Sequence, residues 1–508
     1  MSHHRTTPEG LTGLPDGRPP SRRRPLTRAG IATAVAGLVV GGLVAPARAA
    51  GSDDVVVVTV QAGQSGDAGL RDAIAGLDVL DANGSQANLL GDAATVEDLE
   101  AAGVDVVRTR AYGDVIGSAP QPRALRAAPA QSLYPVPERI AGNQYETFFG
   151  GYRTVSAHEQ FLRDVAAAYP ELVELVDYGD SWLKTQGRGG HDLVALRITE
   201  GADHDGRWET NDNGKPRFFL TAQAHAREIL TSEIAWRYIV SLLDNYGKDP
   251  QVTQLLQSTE IWVQTQNNPD GIDLVEDALD DPDLRLTAAG DGNPVNQSKA
   301  WQRKNLDDSD YVQTSTSWSS SQPGIDLNRN FATDWGGAST SATPSSQTYR
   351  GTAPFSEPEA AAEATLLTTL FGTYETGTTT AAPDDRRGTF LNLHTSGGLA
   401  IYPYAYDYQA NVPNLEQVKT LGFRQTYFSG QNTGKAGEIL YNNAGNDIDW
   451  IYDQLGIPAY TWELGSSAEG GFFSSYSRVP AFWAQTERAI YYLAEAAGSP
   501  YTSPWARR

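Results

Sequence analysis

The sequence predicts an α/β fold: an open, mostly parallel mixed sheet with helices on both faces, preceded by a small α/β unit. Three observations carry this. From residue 145 onward, short apolar runs alternate with helical patterns, as strand–helix–strand crossovers require. A stretch rich in Pro, Ala and Arg at 119–130 separates this region from an earlier, shorter alternation within 50–115, as an exposed linker would. Of the 508 residues 40% are hydrophobic and 20% charged, enough to bury one large core and a smaller one.

Taken in order, 55–60 is a β-branched strand and 70–80 has helical spacing. Residues 95–102 read as a short helix stopped by Gly103, and 104–108 as another strand. After the linker at 116–140 the main domain spans 141–500. Its expected helices are 156–169, closed by Pro170, then 228–246, 357–371 and 482–497. The helix at 228–246 carries Ile229, Ile234, Trp236, Ile239, Val240 and Leu243 near one face. Its expected strands are 172–177, 193–198, 217–224, 260–265, 390–394, 398–402 and 459–464. The polar stretch 276–324 is too long for a plain connection and reads as a functional rim or lid.

The first 49 residues read as an address. Ser21-Arg22-Arg23-Arg24-Pro25-Leu26 precedes an apolar stretch at 29–45, and Ala47-Arg48-Ala49 has the small-x-small form of a signal-peptidase site. Adjacent arginines suit the twin-arginine route, and an ordinary Arg-rich signal peptide is the alternative. The apolar stretch is short for a membrane anchor, so the expectation is secretion, with no membrane association after signal removal. The net charge is −23, a surface that repels nucleic acid. Cysteine is absent, which excludes thiol catalysis, disulfides and Cys-bound zinc together. A small unit at 50–115, a linker and a large domain suggest a cleavable pro-segment, with a permanent accessory domain as the alternative.

The candidate chemistry lies at the ends of apolar runs. His225-Ala226-Arg227-Glu228 stands where a strand meets a helix, the edge at which open α/β sheets place their sites. A three-residue offset lets His225 and Glu228 turn toward one ion, and His394, closing the run 390–394, can add a third ligand. Two His and one Glu with an open position for water are a catalytic zinc set, although taken alone His225 reads equally as a core residue and His394 more often as a packing one. Glu463, at the end of another strand, can take a proton from a water beside such an ion, or be a salt-bridged strand end. In Asp326-Leu327-Asn328-Arg329-Asn330, Asn328 and Arg329 can clamp a carboxylate and Asp326 can orient a ligand histidine. Taken alone the segment is equally a turn. Asp280, Asp281, Asp283 and Asp291 are candidate Ca2+ ligands or a solvated acidic loop.

Taken together, these residues resemble the zinc carboxypeptidase family of the pancreatic A/B type. The ordered set is His225-Ala226-Arg227-Glu228, Arg303-Lys304-Asn305, Asp326-x-Asn328-Arg329-Asn330, His394, Tyr441 and Glu463, with Glu463 following Asp449 by 14 residues. The match runs from about Tyr145 to Ala497. Two departures stand out. The family often reads Trp-Arg-Lys-Asn, whereas Trp301-Gln302-Arg303-Lys304-Asn305 has one residue more, and the span from Glu228 to His394 is longer than in the animal enzymes.

The resemblance implies one Zn2+ held by His225, Glu228 and His394, with Glu463 as general base. It implies Arg303 at the developing oxyanion, Asn328 and Arg329 on the substrate carboxylate, and Tyr441 closing over the bound end. Arg227 would lie in an outer subsite, and Asp326 behind the first histidine. The segment Tyr402-Pro403-Tyr404 would wall the site. Ile448 stands where A-type enzymes are apolar, which favours aromatic or aliphatic C-terminal residues. Asp447 beside it leaves room for Lys or Arg. The implied protein is a secreted, monomeric proenzyme acting on peptide and protein C-termini, with the unit at 50–115 in the place of the family's inhibitory pro-segment. A cell-wall peptide amidase on the same scaffold and a non-catalytic zinc-containing binding module are the alternatives.

Overall fold

The computed structural model describes residues 56–63, 66–74, 77–82, 85–111, 137, 140, 144–204, 207–211, 213–280 and 298–501. The expected signal peptide, most of the expected linker and the candidate calcium ligands Asp281, Asp283 and Asp291 lie outside these. Residues from Ala50 onward belong to one unit.

The small domain comprises β1 (Val56–Gln61), α1 (Gly66–Ile74), β2 (Asp78–Ala82), β3 (Gln86–Gly91), α2 (Ala93–Ala101) and β4 (Asp105–Ala111). Its four strands are antiparallel in the order β2-β3-β1-β4. Val57, Val58 and Val60 make β1 a buried strand. At the start of α2, Asp92 and Thr95 cap each other's free amides, at 2.8 Å from Thr95 N to Asp92 Oδ1. The helix expected over 70–80 is corrected: α1 ends at Ile74 and β2 begins at Asp78. Pairing along β3 supplies hydrogen bonds that a local helix would otherwise have made.

The large sheet contains β5 (Val173–Asp180), β6 (Asp192–Ile198), β7 (Arg217–Ala222), β8 (Glu260–Gln264), β9 (Thr389–Thr395), β10 (Leu399–Tyr402), β11 (Asn432–Lys435) and β12 (Ala459–Leu464). Their order is β11-β10-β12-β9-β7-β8-β6-β5. The central strands β12, β9, β7 and β8 are parallel, β11 is parallel to β10, and antiparallel pairs join β10, β6 and β5 to the rest.

Alternate strand residues face two cores, as the two-residue period demands. On one face Phe218, Leu220, Leu391, Leu393 and Trp462 pack with α3 (Val155–Ala168), α4 (Leu230–Asn245), α8 (Leu415–Ser429) and α10 (Val479–Ala496). On the other, Phe219, Trp262, Phe390 and Ala459 pack with α7 (Pro358–Phe371) and α9 (Asp447–Leu455). Val56, Val58, Val60, Val79 and Val104 of the small domain belong to this second cluster.

Several boundaries move. The helix expected from 228 begins at Leu230, and the strand expected to reach 224 ends at Ala222, so His225 and Glu228 sit in the turn between them. The acidic start of the stretch 276–324 is helical, because α6 (Pro269–Asp280) buries Ile272, Val275 and Leu279 on one side. Also unforeseen were α5 (Pro250–Ser258), α8, α9 and β11. In α8 the exposed Phe423 and Tyr427 blur the apolar stripe formed by Val418 and Leu421. Among the described residues no helix is long and apolar enough to cross a membrane.

Candidate metal centre and active-site pocket

Strand register builds half of the site. His394 on β9 lies directly opposite Glu463 on the parallel strand β12, so both side chains leave the same face at the strands' C-terminal ends. Next to β9, β7 ends at Ala222, and the chain then turns through Gln223, whose φ is +56°. Hydrogen bonds pin that turn: Ala226 N donates to the Arg303 carbonyl at 3.1 Å, and Asn268 Nδ2 donates to the Ala224 carbonyl at 3.1 Å.

His225, Glu228 and His394 converge, with potential ligand atoms all within 4.8 Å of one another, and all three are buried. His225 Nδ1 lies 2.8 Å from Glu228 Oε1, and His394 Nδ1 lies 3.0 Å from Glu228 Oε2 and 3.1 Å from His225 Nδ1. The far nitrogen of His225, Nε2, faces Asp326 Oδ1 at 3.1 Å. A carboxylate acceptor there places the ring proton on Nε2 and leaves the Nδ1 lone pair facing inward. The inward nitrogens of His225 and His394 and the Glu228 carboxylate, at this spacing, fit a zinc ion.

Asp326 is the hub behind the cluster. It accepts from Arg303 Nε at 3.0 Å, Arg303 Nη2 at 2.9 Å and the Asn328 amide at 3.1 Å. Burial would raise its pKa, but Arg303, His225 and Arg329 hold the carboxyl well below its ordinary range. Glu228 behaves alike: burial is outweighed by His225 and His394, and its pKa falls.

A single cavity collects most of the expected residues. His225, Glu228, Arg303, Asn328, Arg329, Tyr441, Ile448 and Glu463 all line it. Asn328 Nδ2 is 3.4 Å from His394 Nε2, and Arg329 is braced through Nε to the Ser339 carbonyl at 3.1 Å. Arg227 is placed differently. It is fully buried, its guanidinium 4.1 Å from the Phe472 ring centroid, and Nη1 donates to Gln347 Oε1 at 2.6 Å. Asp447 is also buried, accepts from Asn392 Nδ2 at 2.5 Å, and does not line the cavity.

Sequence reasoning missed several residues here. Thr395 donates its amide to Glu228 Oε2 at 3.1 Å. Asn443, Asn446, Leu440, Ile401 and Thr461 complete the wall, and Val79 of the small domain enters it. Asp449 accepts the amides of Ala405 and Tyr406 at 2.8 and 3.0 Å, tying the wall after Tyr404 to the start of α9, and burial raises its carboxyl to about 7. None of these carries a local signal, because each depends on a partner distant in the chain.

Comparison with known proteins agrees with this geometry. A family model described as zinc carboxypeptidase matches residues 158–489, well over half of the chain. Bovine (Bos taurus) carboxypeptidase A1 is 23% identical over 65% of this chain and 66% of its own length, so the chain spans about two-thirds of that relative. Human (Homo sapiens) carboxypeptidase B is 26% identical over 70% of this chain and 72% of its own. In fold the chain is similar to the carboxypeptidase A structure from Helicoverpa armigera, with a TM-score of 0.61 at 18% identity, covering 88% of this chain and 98% of that one. It is similar also to thrombin activatable fibrinolysis inhibitor, with a TM-score of 0.59 at 19% identity over the same shares. With a family model covering most of the large domain and a buried His–Glu–His cluster where zinc would sit, this chain belongs to the zinc carboxypeptidase family.

Proposed function

We propose that this chain is a secreted zinc metallocarboxypeptidase, made as a proenzyme, that hydrolyses the C-terminal peptide bond of peptides and proteins. The observation that carries this reading is one cavity holding the His225–Glu228 pair, Glu463 and the Asn328–Arg329 pair together. Arg329 and Asn328 grip the terminal carboxylate of the substrate, which restricts cleavage to the last bond. The last side chain then enters the wall formed by Ile401, Leu440, Ile448 and Thr461, whose apolar character favours aromatic or aliphatic residues.

A zinc ion on His225, Glu228 and His394 would supply Lewis acidity toward water and the scissile carbonyl. Glu463 accepts the proton of the attacking water and delivers it to the departing amine. Arg303, fixed by Asp326, donates to the carbonyl oxygen as negative charge develops there. Tyr441 covers the bound end and excludes water.

The proenzyme reading rests on Val79, which lines the cavity beside the catalytic groups. With the small domain in place the cavity keeps about 40 Å³, far below the roughly 300 Å³ at which ligand pockets begin. The N-terminal sequence pattern supports export. The deciding experiment compares blocked dipeptides with a free or an amidated C-terminus, with and without a chelator. Chelator-sensitive hydrolysis of the free acids alone is expected, and equal rates on amides would overturn the assignment.

A further inference from the structure

On the carboxypeptidase reading, Arg303 and Arg329 act on the same substrate residue, one at the scissile carbonyl and one at the terminal carboxylate. They stand on separate segments, and buried side chains behind them join those segments. Asn305, two residues after Arg303, pairs with Ile325 twice. Its amide donates to the Ile325 carbonyl at 3.1 Å, and its Oδ1 accepts from the Ile325 amide at 2.8 Å. Its Nδ2 donates to Glu357 Oε2 at 2.7 Å and to Glu359 Oε2 at 3.1 Å. Asn330, next to Arg329, holds the same Glu357 from the other side. Its Oδ1 accepts from the Glu357 amide at 3.1 Å, and its Nδ2 donates to Ser356 Oγ at 2.9 Å. The Ser356 hydroxyl in turn donates to Glu357 Oε1 at 2.8 Å. Glu357 is thus the meeting point: Oε2 serves the Arg303 segment, while Oε1 and the amide serve the Arg329 segment. Asn305, Glu357 and Asn330 are all buried. The join has no slack, because a Cβ on Gly351 would collide with Ser356 Oγ and Asn330 Nδ2.

We propose that Asn305, Glu357, Ser356 and Asn330 are positioning residues that together fix the spacing between Arg303 and Arg329, and with it the single residue admitted between scissile carbonyl and terminal carboxylate. The inference rests on the carboxypeptidase reading and deepens it. Asp326 fixes the guanidinium of Arg303, whereas this relay fixes the two backbones. Leaving a buried amide or carboxylate without its partner costs more than an average hydrogen bond contributes, so the four side chains hold one arrangement. A misplacement of about 1 Å can cost about 100-fold in rate. A loosened relay is therefore felt by a ligand that spans both arginines and not by one that touches Arg329 alone.

The test uses the zinc-loaded chain, expressed whole and opened by limited proteolysis, with a blocked dipeptide substrate and two ligands titrated by calorimetry. Hydrocinnamate carries one carboxylate and reaches Arg329 alone. A phosphonate analogue of the blocked dipeptide spans both arginines. Glu357→Ala should lower kcat/KM by about 10- to 100-fold and weaken the phosphonate by a similar factor, while hydrocinnamate binds as it does to the parent. Glu357→Gln, which keeps an acceptor facing Asn305, should restore most of the loss. Ser356→Ala, at an exposed position that folding tolerates, should give the same pattern at about 3- to 10-fold, and it decides the matter if Glu357→Ala does not fold. Equal weakening of both ligands, or of neither, would overturn the relay and leave the carboxypeptidase reading in place. Failure of the parent to cleave the dipeptide would overturn that reading, and the relay with it.

Discussion

Two sets of buried acidic side chains behave in opposite ways. Around the metal cluster, Glu228 and Asp326 are buried, yet both are held below the usual carboxylate range by nearby histidine and arginine. On α7, Glu359 and Glu363 are equally buried, and burial pushes each up to about 8. Glu357, just before α7, reaches about 7 for the same leading reason. The difference lies in the partners. Asp326 faces two nitrogens of Arg303 and the His225 ring, whereas Glu363 accepts one amide hydrogen from Asn267 at 2.8 Å and feels the like charge of Asp447. Burial sets the cost of a charge, and the neighbours decide whether the charge is kept. The set around the metal cluster thereby keeps its charge, while burial holds Glu359 and Glu363 on α7 protonated at neutral pH.

Substitutions can break that contrast, beginning at the strand ends. Glu463→Gln should lower kcat by about 100- to 10,000-fold while zinc content measured by atomic absorption stays at one per chain. Near-parental turnover would remove Glu463 from the role of base. A smaller effect is expected behind the cluster. Asp326→Asn removes the charge facing His225 and Arg303 and should weaken zinc binding by about 10- to 100-fold in a chelator competition. Unchanged zinc affinity would mean that Asp326 merely packs.

The α7 set predicts a pH effect of the opposite kind. The folded pKa of Glu363 lies above the ordinary value of 4.5. The folded state therefore holds a proton that the unfolded chain has lost, and this contribution is fully present below about pH 4.5 and lost as pH rises through about 8. Glu363→Gln should match the parent near pH 4.5 and be about 1–2 kcal/mol more stable at pH 9. Denaturant titrations at the two pH values would detect it, and parallel curves would contradict it.

His191 gives the smallest expected change. It is largely buried, but Asp273 at 2.7 Å and Glu159 at 2.8 Å overcome the burial and raise its pKa to about 10. Its stabilisation is full below about pH 6.5 and fades as pH rises toward 10. Because Asp273 is half-exposed, solvent screening reduces the effect, and His191→Gln should cost about 1 kcal/mol at pH 6 and less at pH 10. A cost that grows with pH would reverse the assignment.

Much of this was legible beforehand. The turn at His225-x-x-Glu228, the apolar runs ending in His394 and Glu463, and the polar cluster Asp326–Asn330 are local patterns, and local patterns survive in a sequence. Elements whose apolar faces are interrupted were harder to see. In α8 two exposed aromatics mask the period, and the apolar run at 70–80 breaks into a helix and a strand only because β3 pairs with β2.

By itself the sequence determined which residue types stand at strand ends, the alternation that makes an α/β sheet, and the absence of thiol chemistry. Only the tertiary structure decided that His394 and Glu463 share a register, that Val79 reaches the cavity, and that Arg227 faces Gln347. These depend on which strands lie side by side and which loops cross between them. Periodicity tells a segment what it is, but only the packing of distant segments tells it what it touches.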